Sequence, residues 1–193
     1  MNEMFCFQCQ QTAHNKGCEG NVGVCGKKAD TSNYQDELVG ALIGLARMAE
    51  SGRPTQQTDE LMLKGLFTTI TNVNFNNETI KKMKTEIEKE KGRINAERAE
   101  DYDMAELWDE HEDLRSLKSL TLFGIKGMAA YAYHAMALGK TDAEVNGFFY
   151  EALRSIAEEK NPDKLLALVL KTGEINLKCM EMLDAANTEA YGN

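Results

Sequence analysis

The sequence lacks the marks of an exported or membrane-spanning chain. Met1-Asn2-Glu3-Met4-Phe5 has neither a basic n-region nor a long apolar core, so no signal peptide is expected. Gly, Lys and Thr interrupt every hydrophobic stretch before it reaches the length of a membrane span. Proline is nearly missing, with only Pro54 and Pro162 among 193 residues, while Ala, Leu, Met, Glu and Lys abound. That mixture reads as helical. A basic face is missing too, since the net charge is −9 and the densest basic stretch, Lys81 to Arg93, interleaves Glu86, Glu88 and Glu90. Mixed charge at helical spacing is a solvated face, which argues against nucleic acid as a partner. The expectation is a soluble, acidic, cytoplasmic protein with no membrane association.

Several enzyme signatures are absent as well. There is no GxGxxG, no Walker A and no G-x-S-x-G. A di-iron carboxylate bundle needs Glu-x-x-His, but Trp108 and Tyr131 stand three residues before His111 and His134. His134, beside Tyr131 and Tyr133, reads as a packing or capping residue, and His111 as exposed in an acidic run. Cys179, alone on an amphipathic segment, reads as a buried structural thiol, and the ten methionines as core filler.

What remains is a concentrated chemical feature at the amino terminus. Cys6, Cys9, Cys18 and Cys25 are spaced C-x2-C-x8-C-x6-C, among Gly17, Gly20, Gly23 and Gly26. Four thiolates in one short loop can close a tetrahedral all-sulfur site, which suits an iron–sulfur cluster or zinc. Glycine lets such a loop curl and bring N–H groups near the sulfurs. Two disulfides would belong in a secreted domain, and structural zinc usually uses two CxxC knuckles where this chain has one. A Rieske centre needs two histidines, and only His14 is near.

Beyond the loop the pattern is helical, and the expected fold class is all-α. Ser32-x-x-Gln35 reads as a capping box opening a helix through Leu38, Leu42, Leu45 and Met48, ended by Ser51-Gly52-Arg53-Pro54. A second helix is expected from about Gln56 to Asn72, and a third through Ile80, Met83 and Ile87 with Gly92 near its end. Residues 93–110 are less regular, with at most a helical turn around Met104 to Trp108. A long helix then carries Leu114, Leu117, Leu120, Phe123, Met128, Tyr131 and Ala135 to a stop at Gly139. Thr141-x-x-Glu144 reads as a second capping box and Asn161-Pro162 as an N-cap with Pro at N1. A final helix is expected after Gly173, carrying Ile175, Leu177, Met180 and Leu183. The implied organisation is a cysteine loop (1–30), a first bundle (31–96), an acidic connection (97–111) and a second bundle (112–193).

Met4-Phe-Cys-Phe-Gln-Cys-Gln-Gln-Thr-Ala13, with Gly17-Cys18 and Gly23-Val-Cys-Gly-Lys27, resembles the start of the hybrid cluster (prismane, hydroxylamine reductase) family. Ser119-Leu-Thr-Leu-Phe-Gly-Ile-Lys-Gly-Met-Ala-Ala-Tyr131 and Asn176 to Thr188 are similar to the family too. The resemblance implies that Cys6, Cys9, Cys18 and Cys25 bind a proximal cluster on a domain of two three-helix bundles. The x2, x8 spacing resembles the class with a [4Fe–4S] cubane, and a longer second spacing marks the [2Fe–2S] class. Six residues between Cys18 and Cys25 are one more than in the shorter class. The family's catalytic hybrid cluster uses four cysteines, one histidine and two glutamates in later domains, and after Cys25 this chain has only Cys179. No catalytic residue is therefore assigned. The resemblance implies an electron-relay fragment or short relative, fed by a redox donor protein and partnered by the remaining hybrid-cluster domains. A homodimer through the face those domains would cover is also expected.

Overall fold

The computed structural model describes residues 3–70, 74–95 and 99–192. The chain is all-α apart from a small ribbon. Strands β1 (Met4–Cys6) and β2 (Cys18–Gly20) pair antiparallel, followed by helices α1 (Ala29–Ser51), α2 (Gln56–Thr68) and α3 (Asn77–Ile94). A short α4 (Met104–Trp108) precedes α5 (Glu112–Ala137), α6 (Ala143–Glu158) and α7 (Pro162–Tyr191). α1 packs on α2 and α3, α5 packs on α6 and α7, and the two groups meet where α1 touches α6 and α2 touches α5. One apolar core runs through both groups, from Leu38 and Leu42 through Leu66 and Ile125 to Phe149 and Leu165. No described helix is long and apolar enough to cross a membrane.

Several helix ends form as read. Asn161 caps α7, its side-chain oxygen accepting from the N–H groups of Asp163 and Lys164, with Pro162 at N1. α5 stops at Gly139, which adopts φ +82° and donates to the Met136 carbonyl at 2.9 Å. Trp108 ends the one-turn α4 that interrupts the acidic connection.

Other ends are corrected. α1 begins at Ala29, three residues before the Ser32 box, and Ser32 is buried inside it. Tertiary contacts make this start: Ala29 N–H donates to the Asn21 carbonyl at 3.0 Å, and Thr31 Oγ1 to Asn77 Oδ1 at 2.7 Å. Gln35 is no capping residue, since it accepts from Lys27 Nζ and donates to the Asn74 carbonyl. α6 is capped by Asp142, one residue after Thr141, with a carboxylate accepting from the Glu144 and Val145 N–H groups. The second helix ends at Thr68, short of the expected end at Asn72, and residues 71 and 72 of that expectation lie outside the described part, as does the 96/97 boundary.

Gly173 does not divide the last helix, and α7 runs through it unbroken. An interior glycine costs a helix about 1 kcal/mol. α7 is anchored on both sides of it by Leu165, Leu168, Ile175 and Cys179, all buried. Helix phase is corrected too. In α5 the apolar run Leu114, Leu117, Leu120, Phe123 repeats every three residues, and each such step turns the side chain back by about 60°. The run therefore follows the edge of the core face, with Leu114, Leu117 and Phe123 half-buried against the core. Leu120 is 56% exposed, and Leu122, Ile125, Ala129 and Ala132 take the inner face. On α7, Leu166, Leu170, Leu177 and Met180 share one exposed face.

Tyr102 fixes the irregular connection to α1. Its N–H donates to the Gly40 carbonyl at 3.2 Å, and its own carbonyl lies close against Gly40. Lys91, 2% exposed, reaches Asp101 at 2.5 Å from α3.

Candidate metal centre: the four-cysteine loop

The ribbon brings the first pair of thiols together. Cys6 and Cys18 face one another across β1 and β2, in register with Phe5–Glu19 and Met4–Gly20. Cys9 follows in a turn closed by Thr12, whose N–H donates to the Cys9 carbonyl and whose hydroxyl donates to the Cys6 carbonyl, both at 3.1 Å. Cys25 lies in a second turn, held by Gly23 N–H on the Lys27 carbonyl at 2.8 Å and by a bridge between Val22 and Lys28. All four cysteines line one small enclosed cavity, together with Met4, Gly23, Val24 and Lys27. None of the five cysteines is in a disulfide. Cys18 is buried, and the others of the loop are half-buried.

The surroundings of Cys18 favour its thiolate form. The Val24 backbone N–H holds the Cys18 thiol below its usual range, against the opposing effect of burial. The Ala13 N–H, the Thr12 hydroxyl and the Lys27 ammonium add to the lowering. N–H groups aimed at a sulfur stabilise its charge whether the partner is iron or zinc. Gly17, at φ +153°, is needed for contact: a Cβ there would lie 2.5 Å from Cε2 of the Phe5 ring.

Aromatic packing docks the loop on the helices. Phe5 and Phe7 flank Cys6 and both meet the Trp108 indole of α4, at centroid distances of 5.8 and 5.3 Å. Phe7 also meets Phe123 of α5 edge-on at 5.5 Å. Phe123, read from the sequence as one of an apolar run, thus serves the loop. Nothing in the local pattern marks Trp108 or Phe123 as its partners.

A polar layer lies beneath. Lys27 Nζ donates to Gln35 Oε1 at 3.0 Å, and Lys126 Nζ of α5 donates to Gln8 Oε1 at 3.3 Å and the Thr69 carbonyl at 3.4 Å. Asp36 faces a cleft of about 490 Å³ beside β1, walled in part by Phe5, Tyr102 and Trp108. Burial pushes its carboxyl up to about 6, with Lys126 and Lys27 opposing.

The other candidates resolve into packing. Cys179 is fully buried, which pushes its thiol up to about 11. His134 packs edge-on against Phe67 at 5.6 Å, and His111 is exposed at the start of α5.

Comparison with known proteins fits this arrangement. The Prismane/CO dehydrogenase family matches residues 4–193. A hydroxylamine reductase of Solidesulfovibrio magneticus is 40% identical over 219 aligned positions, covering 98% of this chain and 40% of that protein. Those of Methanocella arvoryzae and Nitratidesulfovibrio vulgaris are 41% and 37% identical, with 98% of this chain again covered. The chain spans about two fifths of the length of these relatives. With a family match over nearly every residue and the four thiols gathered at one cavity, the chain belongs to the Prismane/CO dehydrogenase family.

Proposed function

We propose that Cys6, Cys9, Cys18 and Cys25 hold an iron–sulfur cluster of the [4Fe–4S] type and that the chain is an electron-relay unit. The observation that carries this reading is the shared cavity, with four thiols around one enclosed space. Members of the family carry iron–sulfur clusters. The likeness of the whole chain to the family favours a cluster over zinc.

Bound there, the cluster supplies a one-electron couple. The chain's own residues anchor it by four thiolates, present N–H groups to Cys18 and seal its inner side with Met4 and the Phe5–Phe7–Trp108 packing. The electron would come from a soluble redox donor protein. It would pass to a hybrid cluster held by further domains of a hydroxylamine reductase-like protein, with hydroxylamine or nitric oxide as the substrate reduced there. The exposed Leu166, Leu170, Leu177 and Met180 of α7 offer a face for those domains or for a second copy of this chain. Sedimentation that stays monomeric at all concentrations removes the second-copy reading.

Anaerobic metal and sulfide analysis tests the centre. About four iron and four sulfide per chain, with a spin-half resonance after dithionite, is the expected result. Two of each would make it [2Fe–2S], and one zinc without sulfide would overturn the relay. Cys9→Ser is expected to abolish the native cluster while leaving the helical circular dichroism largely intact.

A further inference from the structure

Two of the lysines beneath the loop are buried out of proportion to the carboxylates near them. Lys27 and Lys126 are 5% and 4% exposed, and among the described residues Asp36 is the one carboxylate whose field acts on Lys126. A buried ammonium is strongly unfavourable unless an opposite charge lies close. The chain's other deeply buried lysines obey this rule directly: Lys91 bonds Asp101 at 2.5 Å and Lys118 bonds Glu110 at 3.3 Å. Lys126 differs. Among the described residues its hydrogen bonds go to two neutral acceptors, Gln8 Oε1 and the Thr69 carbonyl. The remaining negative field on it comes from Cys6. Gln8 itself lies between Cys6 and Cys9, so the lysine grips the turn whose two ends carry ligands.

We propose that Lys126 is the counter-cation of the four-cysteine site, a positioning residue that holds the C-x2-C turn through Gln8 and raises the reduction potential of the group the thiolates bind. The potential follows from Coulomb's law. Reduction adds negative charge at the thiolate-bound group, and a fixed positive charge under it stabilises the reduced form more than the oxidised one. Burial pushes the ammonium down to about 8, reinforced by Lys27 and opposed by Asp36 and Cys6, so it remains mostly charged at neutral pH. Asp36 acts with the opposite sign. The effect on potential rests on the iron–sulfur reading above; the local positive field does not.

The test compares wild type with Lys126→Met, Lys126→Arg and Asp36→Asn. Iron and sulfide content of the wild type first decides the iron–sulfur reading by itself. On loaded protein at pH 7, Lys126→Met is expected to shift the reduction equilibrium at least tenfold toward the oxidised form, about 59 mV lower. Lys126→Arg is expected near wild type, and Asp36→Asn displaced upward. Unmoved potentials in both Lys126→Met and Asp36→Asn overturn the proposal. Where no cluster is held, the same field is read on the reduced, metal-free chain. The probes are iodoacetate, an anion, and iodoacetamide, which is neutral, mapped at the half-buried Cys6 and Cys9. The iodoacetate-to-iodoacetamide rate ratio is expected to fall severalfold in Lys126→Met and to rise in Asp36→Asn. A merely structural lysine would change both rates together, and an unchanged ratio in both variants overturns the proposal. Should Lys126→Met lose its helical circular dichroism, the direction of the Asp36→Asn shift decides.

Discussion

Gly40→Ala and Gly127→Ala make the same chemical change inside two helices, yet the structure gives them opposite signs. Alanine is favoured over glycine in a helix interior by about 1 kcal/mol. Gly127 is exposed, and a Cβ built on it meets nothing within 4 Å, so that preference should be expressed undiminished. A Cβ on Gly40 would overlap the Tyr102 carbonyl oxygen and lie 3.3 Å from its carbonyl carbon. Both are backbone atoms, so a rotamer change gives no relief. The segment must lift, with loss of the Tyr102 N–H bond to Gly40, for about 1 kcal/mol. Tyr102, 6% exposed, loses burial, and Lys91 loses Asp101 from a buried pair while keeping Glu88. Breaking a buried pair outright costs about 3–5 kcal/mol, and the retained partner reduces that. After the helical gain is set against these losses, Gly40→Ala should destabilise by about 2–4 kcal/mol. For a chain of this size that is about 5–15 °C in melting temperature. Thermal and urea unfolding followed by circular dichroism at equal metal content measure it. Equal stability of the two variants would refute the reasoning, because only the close approach of residue 102 separates them.

Phe7→Ala removes ring contacts to Phe5, Trp108 and Phe123 and should weaken loop docking by about 2–3 kcal/mol without unfolding the bundles. Limited proteolysis should then release the segment before α1 much faster at unchanged helical signal; unchanged protection would mean other contacts hold the loop. Glu110 is held down to about 2 by Lys160 and then Lys118, against an opposing effect of burial, from an ordinary 4.5. A depressed folded-state value stabilises the fold above the unfolded value and loses that stabilisation as pH falls from about 4.5 toward 2. Glu110→Gln should therefore be less stable than wild type at pH 7, with the gap closing across that window in urea titrations. A gap independent of pH would exclude the ion pairs as its source.

Helix existence was legible in the sequence wherever one local signal decided it, and helix limits were not wherever a distant contact did. Asn161-Pro162 carries its own cap, so its position needs no partner. The start of α1 depends on Asn21 and Asn77, and Ser32 offered a plausible local substitute that the fold does not use. Gly173 signals a break only if the flanking turns gain little from staying joined, and α5 makes them gain much. For the site, the four cysteines were legible because all fall within twenty residues of one loop. Phe123 and Lys126 were not, since their partners Phe7 and Gln8 lie more than a hundred positions away. Their helix reads as apolar residues with interruptions, and the interruptions do the positioning.

A helix-bundle chain with irregular insertions faces a particular difficulty, since a loop laid on a bundle brings polar backbone into an apolar interface. Here long cations on the helices reach into the irregular segments. Lys91 of α3 ties down Asp101, Lys118 of α5 ties down Glu110, and Lys126 of α5 ties down Gln8. Each ammonium sits at the end of a four-carbon stem, so the helix keeps apolar packing along the stem while the charge meets the loop. Two of the three find a carboxylate, and those two hold the acidic connection between the bundles. That explains an otherwise odd feature of the composition, a dense acidic stretch in a chain already at net charge −9. Part of its charge is the counterpart of lysines that would be too costly to bury alone. The third lysine reaches the cysteine loop, where its hydrogen bonds among the described residues go to neutral acceptors and Asp36 supplies a carboxylate field. Long buried lysines thus tie both irregular segments to the helices, two through carboxylates and one through the neutral Gln8 side chain.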